Sequence, residues 1–394
     1  MLNLTSPILS DGLTTRSISC PNYSLRGFVN PSSKPRPLTA KPHQEIKTPH
    51  LSAVAANATE PLLFSSRAHE RDQKDRRDQK DKLVVIMGAT GSGKSRLSVD
   101  LANIFSGEIV NSDKLQFYNG LEITTNQMTV QERQGVPHHL LGEVEPEDGE
   151  LTAAEFRSAA ARAISGIVSR GNLPILAGGS NSFVHALLAE RWDPETYPFN
   201  GRGSICSDLR YDCCFIWIDV APPLLFEYHS RRVDKMLERG MFEELAELYD
   251  PKNDPGESWT RIGLWKSIGV PEFDRYFRKY PPQKTREAAN RDDWDAARKS
   301  AYDRAVREVK ENTFLLAMKQ IEKIQKLRSA GWDIRRVDAA AWFRSALSSP
   351  DGDGGSGGRR CKEIWEREIL EPCVERVRDE VFCLGEKQMT ATYY

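Results

Sequence analysis

Gly88-Ala89-Thr90-Gly91-Ser92-Gly93-Lys94-Ser95 follows the apolar run Leu83-Val84-Val85-Ile86-Met87. It precedes a segment with apolar residues at helical spacing: Leu97, Leu101, Ile104 and Phe105. Strand, glycine-rich turn and helix N-terminus in that order build a cradle for phosphate. Glycines let successive backbone N–H groups converge on phosphate oxygens with no Cβ in the way. Lys94 adds a point charge, and the Ser95 hydroxyl is a suitable ligand for Mg²⁺. All eight residues, Gly88 to Ser95, are therefore expected to bind a di- or triphosphate. The motif leaves open what is done with it.

Downstream of the loop a βα rhythm continues. Glu108-Ile109-Val110-Asn111 reads as a short strand with Ser112-Asp113-Lys114-Leu115-Gln116 leaving its carboxyl end. Leu151 to Val168 has helical spacing, and Leu173-Pro174-Ile175-Leu176-Ala177 is a buried strand ending in Gly178-Gly179. A further helix starts at Phe183, Cys213 to Val220 is an apolar strand, and Trp332 to Val337 is a late one. Near-continuous apolar strands separated by helices predict an α/β fold: a P-loop NTPase-like parallel sheet with helices on both faces. Ligands of such sheets sit beyond the carboxyl ends of the strands. The phosphate loop, Asp113 and Gly178-Gly179-Ser180-Asn181 are all expected there. Between Pro222 and Leu327 the pattern is mainly helical, with charged amphipathic stretches over Tyr228–Leu248 and Tyr302–Leu327. That is long for one crossover and predicts a helical insertion subdomain.

The resulting division is 1–65 and 66–81 outside the fold, 82–221 as core, 222–328 as helical subdomain and 329–345 as return to the core. Residues 346–360 form a flexible linker and 361–394 a C-terminal helix and tail. The first segment is rich in Ser, Thr and Pro, with many basic residues and only Asp11, Glu45 and Glu60 as acids through position 60. That is the composition of an organelle transit peptide, so a plastid destination is expected; a disordered tail on a cytoplasmic protein is the alternative. Residues 67–82 repeat Arg-Asp-Gln-Lys-Asp, a mixed-charge stretch that buries nothing. The 394 residues carry a formal net charge of −1, so no global basic field advertises a nucleic-acid partner. No apolar run reaches the ~20 residues of a membrane span. Seven scattered cysteines without a C-x-x-C pair read as reduced structural thiols. His138 and His139 are adjacent in a Pro-containing loop, without metal-ligand spacing.

Beyond the phosphate loop, a series of blocks follows in order: Asn111-Ser112-Asp113-Lys114-Leu115-Gln116-Phe117-Tyr118, Ile123-Thr124-Thr125-Asn126-Gln127 and Gly135-Val136-Pro137-His138-His139-Leu140-Leu141-Gly142. Then come Gly178 to Ser182, Arg232-Val233-Asp234-Lys235-Met236, Ile268-Gly269-Val270-Pro271-Glu272-Phe273 and Glu311-Asn312-Thr313. This ordered set resembles the plant adenylate isopentenyltransferases, the enzymes that begin cytokinin synthesis, from about Lys82 to Val337. The resemblance implies transfer of a dimethylallyl group from its diphosphate, or from a hydroxylated analogue, to N6 of AMP, ADP or ATP; a monomer is expected. It implies that the loop holds the leaving diphosphate, with Thr90, Lys94, Ser95 and Mg²⁺ neutralising the charge that grows on it. It also implies Asp113 as the general base that aligns the adenine amine and takes its proton. A helix N-cap is the other reading of Asp113.

Ser180, Asn181 and Ser182 are candidates for contact with the adenosine or its phosphate; a capped turn is the other reading. The family's Gly-Ile-Arg-Arg-Ala-Ile-Gly-Val segment stands here as Gly263-Leu264-Trp265-Lys266-Ser267-Ile268-Gly269-Val270. Trp265 thus replaces an arginine expected to clamp diphosphate, and Arg261 or Lys266 is the candidate to supply the clamp. Two rival functions are a tRNA adenine dimethylallyltransferase and a small-molecule kinase. The tail, with Cys361, Cys373 and Cys383 but no histidine, lacks the Cys/His zinc module expected of a eukaryotic tRNA-modifying relative. A kinase would draw on Asp219, at a strand end, as a second Mg²⁺ contact.

Overall fold

The computed structural model describes residues 80–200, 205–249, 262–282, 294–348 and 356–382. Six parallel strands are ordered β3-β2-β4-β1-β5-β6. They are β1 (Lys82–Gly88), β2 (Gly107–Asn111), β3 (His138–His139), β4 (Leu173–Ala177), β5 (Asp212–Asp219) and β6 (Arg335–Asp338). β1 lies between β4 and β5, and its residues from Leu83 to Met87 are at most 1% exposed. A strand covered on both faces must be apolar at every position, which is why its sequence shows no alternation.

The side chains nevertheless alternate between two cores. Leu83, Val85 and Met87 join Phe156, Ile164, Phe183, Leu187 and Ile324 on one face of the sheet. Val84 and Ile86 join Leu97, Leu101, Phe343, Trp365 and Ile369 on the other. Cys213 and Cys214 divide between the faces in the same way. The first face is covered by α2 (Ala153–Ser169), α3 (Asn181–Leu188) and the long α7 (Ala296–Ser329). α1 (Lys94–Phe105), α8 (Ala340–Ser348) and a helical run from Ser356 to Phe382 cover the second. That run comprises α9 (Ser356–Trp365), a wide turn at Glu366–Leu370, α10 (Glu371–Val377) and a second wide turn at Arg378–Phe382.

The helical insertion contains α4 (Pro222–Glu238), α5 (Met241–Leu248), α6 (Val270–Lys279) and α7. Its centre is aromatic: Phe242 lies 5.3–6.0 Å, ring centre to ring centre, from Phe273, Tyr276, Phe277, Trp294 and Tyr302. The amphipathic stretch Tyr228–Leu248 is broken rather than continuous. Gly240 adopts φ 103°, a left-handed conformation that ends one helix and turns the chain into the next.

Several expected boundaries move. His138-His139, expected in a loop, is a sheet-edge strand: its backbone pairs with Ile109 and Val110, and His139 Nε2 lies 2.6 Å from the buried Glu108 carboxylate. The late strand is shorter than Trp332–Val337 suggests and begins at Arg335. Trp332 and Ile334 are buried in the core ahead of it. Helix occupies both ends of the stretch 346–360 that was expected to be a flexible linker. α8 runs to Ser348, and α9 begins at Ser356 because Cys361 and Trp365 bury one side of it. The segments 1–65 and 66–79 lie outside the described residues.

Candidate active site

At the carboxyl end of β1 the chain turns through the phosphate loop, and Ser92 N–H donates to Ala89 O at 3.1 Å. Gly91 and Gly93 have φ of 72° and 99°, which side chains rarely adopt. Space forbids side chains there as well. A Cβ on Gly91 would lie 3.0 Å from both Arg232 Nη1 and the His229 ring, and one on Gly93 would lie 2.9 Å from the Trp365 ring. The loop is therefore clasped between α4 on one side and α9 on the other.

The loop's basic group is buried. Lys94 Nζ donates to Ala89 O at 2.7 Å, and burial lowers its pKa to about 8; Asp113 opposes this fall and Arg232 adds to it. Arg232 reaches Thr90 Oγ1 at 3.4 Å, with its own pKa lowered by burial. One helical turn earlier, His229 Nε2–H donates to Thr90 O at 2.8 Å. Burial pushes that imidazole down to about 4, so it is neutral at pH 7. Gln320, from the C-terminal half of α7, accepts from Thr90 N–H at 2.6 Å and donates to Gly179 O at 3.0 Å. It staples the phosphate loop to the turn after β4.

Asp113 stands at the carboxyl end of β2, held by Asn111, whose Oδ1 accepts from Asp113 N–H at 2.9 Å. The N-cap reading of Asp113 is realised, and its carboxyl also faces the cleft. Its carboxylate accepts from Leu115 N–H at 3.3 Å as the N-cap of a short turn, and it also lines the cleft beside the loop. Burial raises its pKa, while Lys94, the Leu115 amide, Arg232 and the Gly179 amide pull it back down. Close approach here needs glycine. A Cβ on Gly179 would sit 3.1 Å from Asp113 Oδ2, and one on Gly178 would collide with the Ser112–Asp113 backbone at 2.3–2.4 Å. A partly buried carboxyl coupled to an ammonium and a guanidinium is suited to taking a proton near neutral pH.

These groups share one cleft of about 1140 Å³. Thr90, Gly91, Gly93, Lys94, Ser95 and Asp113 line it, whereas Gly88, Ala89 and Ser92 form the base of the loop. Other expected contacts fall elsewhere. Ser180 Oγ accepts from Lys114 N–H at 2.9 Å, and Asn181 Nδ2 donates to Gln320 O at 3.0 Å, so both stabilise the turn after β4. Neither they nor Ser182 line the cleft. Lys266 pairs with Glu150 at 2.5 Å, a carboxylate it shares with Lys114, and it too is outside the cleft. Arg261 lies outside the described residues. Asp219 is tied to Arg336 at 2.6 Å and is not on the cleft lining.

Sequence reasoning passed over Arg232, His229, Gln320 and Trp365. Arg232 was visible only as part of the Arg232-Val233-Asp234-Lys235-Met236 block. The other three carry no local signal, because each reaches the loop from a separate helix.

The family model for IPP transferase matches residues 116–200 and 195–326. Adenylate isopentenyltransferase 8, chloroplastic, of Arabidopsis thaliana is 58% identical over 76% of this chain and 85% of its own length. Adenylate isopentenyltransferase 4 of the same plant is 59% identical over 76% and 92% respectively. A more distant Arabidopsis relative, 40% identical over 77% of this chain and 81% of its own length, is named mitochondrial. Among solved structures, a eukaryotic dimethylallyltransferase acting on tRNA shares the fold, with a TM-score of 0.57 and 24% identity over 75% of this chain and 78% of that one.

Proposed function

We infer the reaction from family membership and the cleft together: the chain belongs to the adenylate isopentenyltransferases, within the IPP transferase family. It transfers a dimethylallyl group from its diphosphate to N6 of an adenine nucleotide, AMP, ADP or ATP. The observation that carries the residue assignment is the meeting of Asp113 with Lys94 and Arg232 in one cleft, at the mouth of the phosphate loop.

In our reading the donor's diphosphate lies on the loop amides and on Lys94, Thr90 and Arg232. As the allylic C–O bond breaks, the bonding pair leaves with the diphosphate. These cations are already in place to receive that charge, so little reorganisation is needed. The exocyclic amine of adenine is a weak nucleophile because its lone pair is delocalised into the ring. Asp113 accepts a hydrogen bond from the N–H, aligns the lone pair on the allylic carbon and takes the proton as the N–C bond forms. Ile109, Met128 and Leu141 supply apolar lining suited to the five-carbon chain.

The donor set fits Mg²⁺. Ser95 brings a hydroxyl to the cleft, and no group of three or more His, Cys, Asp or Glu capable of caging a metal occurs among the described residues. One protein oxygen completed by substrate phosphates and water is the usual arrangement for this ion. When bound, Mg²⁺ supplies charge neutralisation on the diphosphate.

Incubating the full chain with labelled dimethylallyl diphosphate, Mg²⁺ and either AMP, ADP, ATP or tRNA tests the reading. Label in the free nucleotides supports it. Label in tRNA alone, or phosphate release from ATP alone, rejects it. For compartment we favour the plastid, in line with the Ser-rich, acid-poor N-terminal segment. Residues 1–65 fused to a fluorescent reporter should carry it there; a mitochondrial or diffuse signal excludes that destination.

A further inference from the structure

The helical run from Ser356 to Phe382 begins thirty residues beyond position 326, where the match to the family model ends, yet it forms one wall of the cleft. Its anchor is Trp365, which is 1% exposed. The indole Nε1–H donates to Asp100 Oδ2 at 2.7 Å, its edge meets Gly93 of the phosphate loop, and the Arg96 guanidinium lies 4.3 Å from its ring centre. With Trp365 seated on the loop, the preceding two turns of α9 place Arg359 and Lys362 on the cleft lining. Lys235 and Arg239 of α4 line the same cleft.

The charge there exceeds what the donor requires. Lys94, Arg96, Arg232, Lys235, Arg239, Arg359 and Lys362 line the cleft against four acids: Asp100, Asp113, Glu132 and Glu366. Lys94 and Arg232 are the cations built into the phosphate loop's surroundings. Arg96 is 4.0 Å from Asp100, and Lys362 is 3.8 Å from Glu366. Among the described residues no acid pairs with Arg359, Lys235 or Arg239, although each is exposed and lines the cleft. Uncompensated cations gathered from two separate helices repel one another, and an anionic ligand relieves that repulsion.

We propose that α9 belongs to the substrate site, and that Arg359 and Lys362, with Lys235 and Arg239, hold the phosphate groups of the nucleoside-phosphate substrate. This rests on the reading of the cleft as a prenyl-transfer site. The donor's diphosphate occupies the loop, so the rim cations serve the second phosphate-bearing substrate. Charged contacts at such a rim contribute to binding and are screened by salt. They do not touch the bond being made or broken, so they act on nucleotide affinity rather than on turnover.

The test is the double substitution Arg359→Gln/Lys362→Gln in the full chain, with steady-state kinetics on AMP, ADP and ATP. Both side chains are exposed and leave the Trp365 anchor intact. The expected result is a rise in KM for ADP and ATP of about tenfold or more, the scale of losing one charge-assisted hydrogen bond. KM for dimethylallyl diphosphate and kcat should stay within about twofold. Raising ionic strength should weaken ADP binding more steeply in the unsubstituted protein than in the variant. Arg360→Gln, one residue along and outside the cleft lining, should change neither KM. Unchanged nucleotide KM values, or an equal rise in both substrates' KM values, would overturn the proposal. If the unsubstituted chain prenylates no nucleotide, the prenyl-transfer reading fails separately. Equilibrium dialysis with ADP then decides the subsite: binding weakened by the double substitution supports it, and equal binding overturns it.

Discussion

Raising the pH through about 8 should loosen the hold on the prenyl diphosphate without any substitution. Burial keeps the Lys94 ammonium at a pKa of about 8 in the free protein, even with Asp113 nearby. A bound diphosphate reverses that balance, because an opposite charge within a few ångströms favours the protonated lysine. The complex therefore keeps its proton to higher pH than the free protein does. Binding above pH 8 must then take up one proton, and Kd rises about tenfold per pH unit until the lysine of the complex also titrates. At pH 9 only about a tenth of the free protein carries the charge, so KM for dimethylallyl diphosphate should be about tenfold above its value at pH 7. The donor does not confound this, since the last ionisation of a phosphate lies near pH 6. Initial rates at saturating nucleotide give KM directly. Calorimetry at pH 8.5 in two buffers of different ionisation enthalpy reads the proton uptake independently. Lys94→Gln should bind the donor weakly at every pH and show no slope in this window. A flat KM from pH 7 to 9.5 in the unsubstituted protein, or heats independent of buffer, would refute the reasoning. The sign for stability is opposite to that for binding. A lysine with a lowered folded-state pKa destabilises the free fold by ~3 kcal/mol below pH 8, and that cost is relieved as pH rises toward the unfolded value near 10.5.

Asp113→Asn should lower kcat by about 10²–10⁴, the usual contribution of a general base, while a single-turnover assay shows that donor binding persists. The fold should not lose stability at neutral pH. Burial raises the Asp113 pKa, so its ionisation weakens the folded state as pH climbs past the unfolded value, and an amide avoids that cost; a marked drop in melting temperature at pH 7 would contradict this. Lys266→Ala should leave KM for the donor within about twofold, because its partner is Glu150 outside the cleft. Only the exposed pairing with Glu150 is lost, worth about 0–1 kcal/mol. A tenfold rise in KM would restore Lys266 as a diphosphate clamp.

Local chemistry made much of this protein legible before folding was considered. A glycine-rich turn after an all-apolar strand has few other uses, so Gly88–Ser95 marked the candidate phosphate loop, and uninterrupted apolar strands told of a sheet covered on both faces. Asp113 was found because it leaves the carboxyl end of the next strand, which topology brings to the same edge. What stayed hidden were side chains whose roles depend on partners far along the chain. Gln320 lies 230 residues from the Thr90 amide it accepts from, and nothing in a charged amphipathic helix marks one glutamine as a staple. In sequence Trp365 is one apolar residue among several in the C-terminal segment, and only packing against Gly93 makes it the anchor of a cleft wall. Ser180, Asn181 and Lys266 show the converse case. Their residue types suit ligand contacts, but Lys114, Gln320 and Glu150 occupy their hydrogen-bonding groups. Sequence determined the strand, the turn and the charge available to bind phosphate. Tertiary structure alone decided which polar groups were left over for a substrate, because a donor or acceptor already satisfied inside the fold has little left to offer one.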